Sequence, residues 1–395
     1  MGFREQVHDG VRIAASVGVA IALVACSTLT RNPVPEGASL DDVRAVPGQI
    51  RVWGDVVPKN IEALGRERDA ERRAAGLNPS GVMSYLAVSG GGSDGAFGAG
   101  LLVGWSETGT RPKFDLVTGI STGSLIAPFA FLGSDYDPQL KEIYTRYDAS
   151  DIARQRPLIL VLPDASLEDD SPLAHLIAHY VTPDFVDRIA TEHRKGRRLL
   201  IGTTHLDAQR PVIWDMGRIA ISNEPNAIRL FRKVMLASAS IPGVFPPVLI
   251  SVELDGHAFD EMHVDGGVTR QVFIFPTDFD PRTLDKELGR SPTRRLFIIR
   301  NGRLNPEWQT VEPQLLKIAG RSISSLIKYQ GRADVDRMYL KSREDKIDFN
   351  LASIPVSFSE REKEPFDLEY MSALFDVGYD LGRHGYRWQK KPPNF

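Results

Sequence analysis

The chain holds one cysteine, Cys26, among 395 residues, so no disulfide can form within it. Charge of one sign is also lacking. A formal net charge of −3 leaves no basic excess of the kind that marks nucleic-acid partners, and no run of like charges reads as an interaction tail. No internal repeat is visible, which excludes solenoids and arrays. No cluster of histidine, cysteine and acidic residues has metal-ligand spacing, so neither a metal nor an organic cofactor is indicated. What is present is ordinary globular composition, 42% hydrophobic and 25% charged, enough for one large domain or two small ones.

The position of Cys26 is informative. Arg4 and Arg12 lie in a polar start, and the segment from Ile13 to Ala25 is apolar apart from Ser16. These thirteen residues fall short of the roughly 20 needed to cross a bilayer as a helix, and suit the apolar region of a secretory signal. Leu23-Val24-Ala25-Cys26 resembles the lipobox of bacterial lipoprotein signals. That resemblance implies cleavage before Cys26, a lipid on the cysteine, and a membrane anchor in the bacterial cell envelope. Ser27 in place of an acid does not trigger retention in the inner membrane, so the implied address is the periplasmic side of the outer membrane. A plain signal peptide with an incidental cysteine is the alternative.

Residues 27 to about 50, rich in proline, glycine, serine and aspartate, read as a tether, and Glu62 to Ala75 as a charged, solvated helix. The apolar run Val82 to Val88 ends at a glycine cluster, as a buried parallel strand does. A helix follows over Ala96 to Trp105, whose Gly98, Gly100 and Gly104 would let it sit close to the sheet. Phe114 to Thr118 is a second strand and Ser124 to Leu132 a second helix, interrupted by Pro128. Strand, helix, strand, helix predicts a parallel sheet with right-handed crossovers. Further strands are expected at Arg198 to Thr204, Val212 to Trp214 and Arg295 to Arg300, and helices at Ala227 to Ser238, Val311 to Leu340 and Leu368 to Tyr379. The run Pro157 to Pro163 is read either as a buried strand or as a cap over the site.

Three turns carry chemistry. Gly90-Gly91-Gly92-Ser93-Asp94-Gly95, between strand and helix, leaves backbone N–H groups free at a helix N-terminus, where an anion is stabilised. It also satisfies the dinucleotide pattern, but Asp115, the acid expected to close the second strand, falls inside it. Ala96-Phe97 after Gly95 excludes a phosphate loop. Gly119-Ile120-Ser121-Thr122-Gly123 has the spacing of a nucleophile elbow, which exposes a serine hydroxyl between strand and helix. Ser121 could equally cap that helix. Asp265, in Val264-Asp265-Gly266-Gly267, is a candidate base or merely an Asx-turn residue. His257 and His263 lie nearest to it in sequence. A serine–histidine triad in the α/β-hydrolase order would need His384, which has no local support.

These three segments, in this order, resemble the patatin-like phospholipase family, whose marks are a glycine-rich oxyanion loop, a G-x-S-x-G elbow and a D-G-[GA] turn. Leu236-Ala237-Ser238-Ala239-Ser240-Ile241-Pro242, continuing to Phe245-Pro246-Pro247-Val248, is similar to a further segment of that family. The likeness covers roughly Met83 to Val268. It implies a three-layer α/β/α hydrolase with a mainly parallel central sheet and a helical C-terminal part. It also implies a Ser–Asp dyad without histidine: Ser121 as nucleophile, Asp265 as base, and Gly90, Gly91, Gly92 and Gly95 shaping the oxyanion loop. The turns are formed by Gly119, Gly123, Gly266 and Gly267, and the implied substrate is a lipid or phospholipid ester. The chain departs from the family at Asp94, where a basic residue is usual. An acid there is read as a cap for the following helix. The division implied is 1–25 signal, 26–80 tether and surface helix, 81–310 catalytic unit, and 311–395 helical part packed on it. A histidine-dependent esterase or thioesterase, and a catalytically inactive envelope lipoprotein, stand as alternatives.

Overall fold

A computed structural model describes residues 31–152, 171–393 and 395. Cys26, the segment before it read as a signal, and the run Pro157 to Pro163 lie outside the described residues. The strands are β1 (Arg51–Trp53), β2 (Val82–Val88), β3 (Leu116–Gly119), β4 (Arg198–His205), β5 (Arg210–Asp215), β6 (Val248–Leu254), β7 (His257–Asp265), β8 (Thr293–Arg300) and β9 (Asp348–Ser353). They form one sheet, seven of them in the order β1-β5-β4-β3-β2-β8-β9, with β6 paired to β7 and β7 to β4 off that path. The run from β4 to β9 is parallel throughout, while β5 and β1 extend it antiparallel.

The parallel strands are buried on both faces, so alternate residues enter different cores. Leu86 and Val88 of β2 pack into one cluster with Phe297 and Ile299 of β8. Met83, Tyr85 and Ala87 pack into the other with Leu296 and Ile298. Helices cover both faces: α1 (Ile61–Ala74), α2 (Gly95–Glu107), α3 (Thr122–Leu132), α4 (Asp137–Thr145), α5 (Ala227–Ala239), α6 (Leu315–Glu344) and α7 (Leu368–Arg383) are the principal ones. The first cluster takes residues from α2, α3, α5 and α7, and the second takes Val335 and Met338 from α6. The result is the three-layer α/β/α arrangement expected from the sequence.

Several sequence readings change. From Arg31 on, the stretch read as a tether is packed: Leu40, Val43, Val46 and Ile50 are buried, and Arg44 bridges to Glu253 of β6. Helix α1 is not wholly solvated. Its Gly65, Asp69 and Arg72 form a buried stripe, tolerated because Asp69 pairs with Arg290 and Arg72 with Asp115. The β6–β7 hairpin was not expected. Its turn, Asp255-Gly256, has φ of 51° and 78°, the left-handed pair that two-residue hairpins favour. Strand β9 likewise interrupts a C-terminal quarter that reads as helical.

The glycines of α2 divide their work. A Cβ at Gly98 would meet Asn301 and Ile299 at the end of β8, as expected for close approach to the sheet. Gly100 and Gly104 face α7 instead, where added Cβ atoms would lie 2.0 and 2.1 Å from the carbonyl oxygens of Phe375 and Tyr379. The contact is reciprocal: Gly378 and Gly382 would strike Phe97 and Leu101 carbonyls at 2.3 and 2.5 Å. Only hydrogen fits at these four positions, and the two backbones touch. Gly104→Val is therefore expected to lower the unfolding free energy by about 1–3 kcal/mol or more through overpacking. Gly320→Ala, in a helix with open space around it, should raise it by up to ~1 kcal/mol. Urea unfolding of the two variants checks both signs.

Candidate active site

The site arises where one strand hands an edge of β4 to another. Strand β3 runs beside β4 until Gly119, opposite Ile201. Strand β7 then takes the same edge from the other direction, with Asp265 opposite Thr203. The segment just past β3 and the last residue of β7 are thus brought together although 144 positions separate Ser121 from Asp265.

Ser121 stands at the turn into α3 with φ 54° and ψ −128°. A non-glycine residue there costs about 1–3 kcal/mol and persists only where its surroundings enforce it. The enforcement is visible. The Ser121 N–H donates to Ser238 Oγ at 3.1 Å, and that hydroxyl donates to the Gly202 carbonyl at 2.7 Å. The Ser121 carbonyl accepts from Ser124 Oγ at 2.7 Å. Gly123 allows the turn to press on the end of β2, since a Cβ there would lie 2.3 Å from the Val88 carbonyl. Ser121 makes no side-chain cap to α3, so the capping alternative does not hold.

Asp265 is gripped from the same direction. Its N–H donates to the Ser240 carbonyl at 3.0 Å, and its carbonyl accepts from Thr204 Oγ1 at 3.0 Å. Oδ1 accepts the Gly267 N–H at 2.6 Å, the Asx-turn bond, within the Gly266-Gly267 turn. Oδ2 is buried and has no partner at hydrogen-bond geometry. Burial pushes the carboxyl up to about 7, and the nearby Ser121 hydroxyl and the Gly267 N–H oppose that rise. The Ser121 hydroxyl is thus close enough to act on the carboxylate electrostatically, while the contact itself is loose, as is common in unliganded sites.

The glycine loop closes the third side. Gly90 donates to the Gln271 carbonyl at 3.0 Å, and Gly95 opens α2. Among the described residues, the N–H groups of Gly91 and Gly92 find no acceptor, and neither does that of Thr122 after the serine. Gly91 must be glycine, because a Cβ would lie 2.1 Å from the Asn301 carbonyl. Asp94 does not cap α2. It accepts from the Tyr370 hydroxyl at 2.6 Å, and burial raises its pKa to about 6. The cation that steadies the loop comes from the end of β8. The buried Arg300 guanidinium donates to the Gly90 carbonyl at 2.7 Å and to Ser89 Oγ at 2.9 Å, and Asn301 Nδ2 holds the Ser89 carbonyl at 2.9 Å.

Over Ser121 lies a cavity of about 50 Å³, lined by Gly92 and Thr122 at its floor and by Leu125, Leu176, Phe245 and Met371 among its walls. Its lining is almost wholly apolar. Among the described residues no histidine contacts Ser121 or Asp265. His384 holds its own helix, Nδ1 lying 2.8 Å from the Asp380 carbonyl, and His263 lies between Thr203 Oγ1 and Glu261.

One cluster escaped the sequence reading. His205, Glu261 and His263 are buried with ligand atoms within 4.8 Å of one another. The alternation Glu261-x-His263 on one face of β7 was the available signal; the approach of His205 from β4 was not. Arg51 already neutralises Glu261 with both its terminal nitrogens, and burial lowers the pKa of both histidines. A divalent cation would have to evict that guanidinium, so the donor set does not fit one. Ser238, Ser240, Arg300 and Asn301 were also missed as positioning residues. Arg300 and Asn301 stand at the carboxyl end of a parallel strand, where sites of such sheets are built.

Residues 86–278 match the model of the patatin-like phospholipase family. Among solved structures, VipD from Legionella pneumophila is similar at 13% identity and a TM-score of 0.36, covering 78% of this chain and 67% of that one. A chain of the SpcU–ExoU complex from the type III secretion system of Pseudomonas aeruginosa is similar at 15% identity and TM-score 0.34, over 77% of this chain and 52% of that one. Human GIVD cytosolic phospholipase A2 shares 9% identity at TM-score 0.32, over 79% of this chain and 56% of its own. The chain thus spans about half to two thirds of their lengths. No curated protein matches it.

The strain at Ser121 can be measured without reference to activity. Ser121→Ala and Ser121→Gly both remove the hydroxyl, and only glycine relaxes at positive φ. The glycine variant is expected to be the more stable of the two by about 1 kcal/mol in denaturant unfolding.

Proposed function

We propose that the chain is a lipid acyl hydrolase that cleaves carboxylic esters through a Ser121–Asp265 dyad and an acyl-enzyme. The observation that carries this reading is the pairing of a strained, buried serine with a buried aspartate whose free Oδ2 has no other partner. The match of residues 86–278 to the patatin-like phospholipase model supports the lipid ester as substrate. So does the apolar cavity above the serine, which suits an acyl chain.

In this mechanism Asp265 accepts the Ser121 proton as Oγ bonds to the ester carbonyl carbon. The carbonyl oxygen becomes an oxyanion facing the free N–H groups of Gly91, Gly92 and Thr122. One such donor is typically worth ~2.7–4 kcal/mol of barrier. The oxyanion then re-forms the carbonyl, the alcohol departs with the proton from Asp265, and Ser121 is left acylated. Water, deprotonated by Asp265, attacks the acyl carbon; Ser121 Oγ leaves with that proton and the fatty acid is released. A carboxyl with a pKa near neutrality is matched to this double duty. All these roles are filled by side chains and amides, with no cofactor. Cys26, acylated at its lipobox, would anchor the enzyme in the bacterial envelope, next to its substrate.

Two measurements test the reading. Fluorophosphonate labelling should vanish in Ser121→Ala, and ester turnover should fall by about 10²–10⁴-fold in Asp265→Asn. Turnover in Asp265→Asn equal to wild type would end the dyad. The base must be ionised, so kcat/KM should rise with pH and level off above about 7. Stability moves the other way. A carboxyl whose folded pKa is raised stabilises the fold most below its unfolded pKa, and that contribution is lost as pH rises through about 7. Asp265→Asn should flatten this dependence in unfolding experiments between pH 4 and 8.

A further inference from the structure

Helix α6 changes character along its length. From Gly331 on it is built into the body: Gly331, Asp334, Val335, Met338 and Ser342 are buried. The part before that projects. Leu315, Leu316 and Leu326 are 82, 73 and 71% exposed, and Ile318, Ile323 and Ile327 are exposed beside them. Trp308, in the approach to the helix, is 89% exposed, and Tyr329 is exposed at the far end of this stretch. Of the eighteen large hydrophobic residues exposed among the described residues, nine lie between Trp308 and Tyr329.

At 3.6 residues per turn, the apolar positions of this half-helix fall on one side of the wheel and Lys317, Arg321 and Lys328 on the other. The usual orientation is inverted. Arg321 and Lys328 turn inward, to the carbonyls of Glu307 and Asn305, and Lys328 pairs with Glu307. The apolar side faces out. Between Pro313 and Ala333 there are four cations and no acid. An apolar face backed by cations, with an exposed tryptophan at its edge, is the composition of a helix that lies in a membrane interface.

We propose that the exposed half of α6 docks the enzyme on an anionic bilayer and sets the active-site mouth against the lipid surface. The placement follows from two contacts. Gln330 Nε2 donates to the Val268 carbonyl at 3.4 Å, in the turn that begins at Asp265. Asp334 Oδ2 accepts from the N–H of Gln271, the residue that holds Gly90. The projecting apolar face and the serine–aspartate pair are therefore joined by one rigid helix. Val268, three residues beyond Asp265, is itself exposed. The orienting role rests on the hydrolase reading; the docking itself does not.

The test uses the full chain carrying Cys26→Ser, with and without Leu316→Asp plus Leu326→Asp, two exposed positions whose change need not disturb folding. Vesicles of phosphatidylcholine, alone or mixed equally with phosphatidylglycerol, are prepared with brominated acyl chains. Trp308 fluorescence, isolated by subtracting a Trp308→Phe variant, should be quenched, more strongly on the anionic vesicles. The double aspartate variant should lose that quenching and cleave vesicle lipid ~10-fold more slowly or worse, while hydrolysing a soluble short-chain ester at the wild-type rate. Unchanged quenching in the double variant overturns the proposal. So does a concentration-dependent dimer, without vesicles, that the variant dissolves, because a second copy then covers the face. A fall in the variant's unfolding temperature would show the face packed against the chain itself, and that too overturns the docking. If neither vesicle lipid nor soluble ester is cleaved, the hydrolase reading fails, and Trp308 quenching still decides the docking.

Discussion

Everything at the site depends on holding one serine in a backbone conformation it would not choose. At φ 54° Ser121 needs its N–H, its carbonyl and its neighbours fixed at once. Ser238 from α5 supplies one restraint, Ser124 from α3 another, and the close approach of Gly123 to β2 a third. The same α5 segment also reaches Asp265 through the Ser240 carbonyl. Residues 238–240 thus act as a ruler between Ser121 and Asp265, and that gives a physical reason for a serine-rich segment so far from either in sequence.

The second constraint is electrostatic. Asp265 is buried beside a hydroxyl and one turn amide, with no cation paired to it among the described residues, and burial pushes its carboxyl up to about 7. The loop opposite is steadied from behind by Arg300, whose guanidinium bonds to a carbonyl and a hydroxyl and not to a carboxylate. Positive charge lies behind the amides and negative charge faces the serine. In the proposed mechanism this separation would let developing negative charge on a substrate oxygen meet donors without also neutralising the base.

Much of this was legible in the sequence because local signals agreed with the global plan. The run Val82 to Val88, the glycine cluster after it and the elbow at Ser121 are strand, turn and nucleophile within forty residues. The parallel core and the glycine loop could be placed from those signals, whereas Ser121 and Asp265 were paired only through the resemblance to the patatin-like family. What stayed hidden was long-range. Arg300 reads as the end of an apolar strand until β8 is seen beside β2. Asp94 reads as a helix cap until Tyr370 arrives from α7. The burial of Asp69 and Arg72 in α1 depends on partners at Arg290 and Asp115 that no periodicity reveals. The β6–β7 hairpin was missed for a local reason: β7 buries Glu261, His263 and Asp265, polar residues where an apolar face is expected, which hid the alternation around Asp255-Gly256.

The interlocked glycines of α2 and α7 carry a consequence for biogenesis. The helix that opens the oxyanion loop is laid down early during translation, but the groove along it is filled by residues 368–383. A ribosome-bound chain exposes bare backbone there, and Asp94 waits for Tyr370. The loop is completed only once those residues have emerged. A product that ends before residue 368 therefore leaves the groove along α2 open and the glycine loop without its Tyr370 contact.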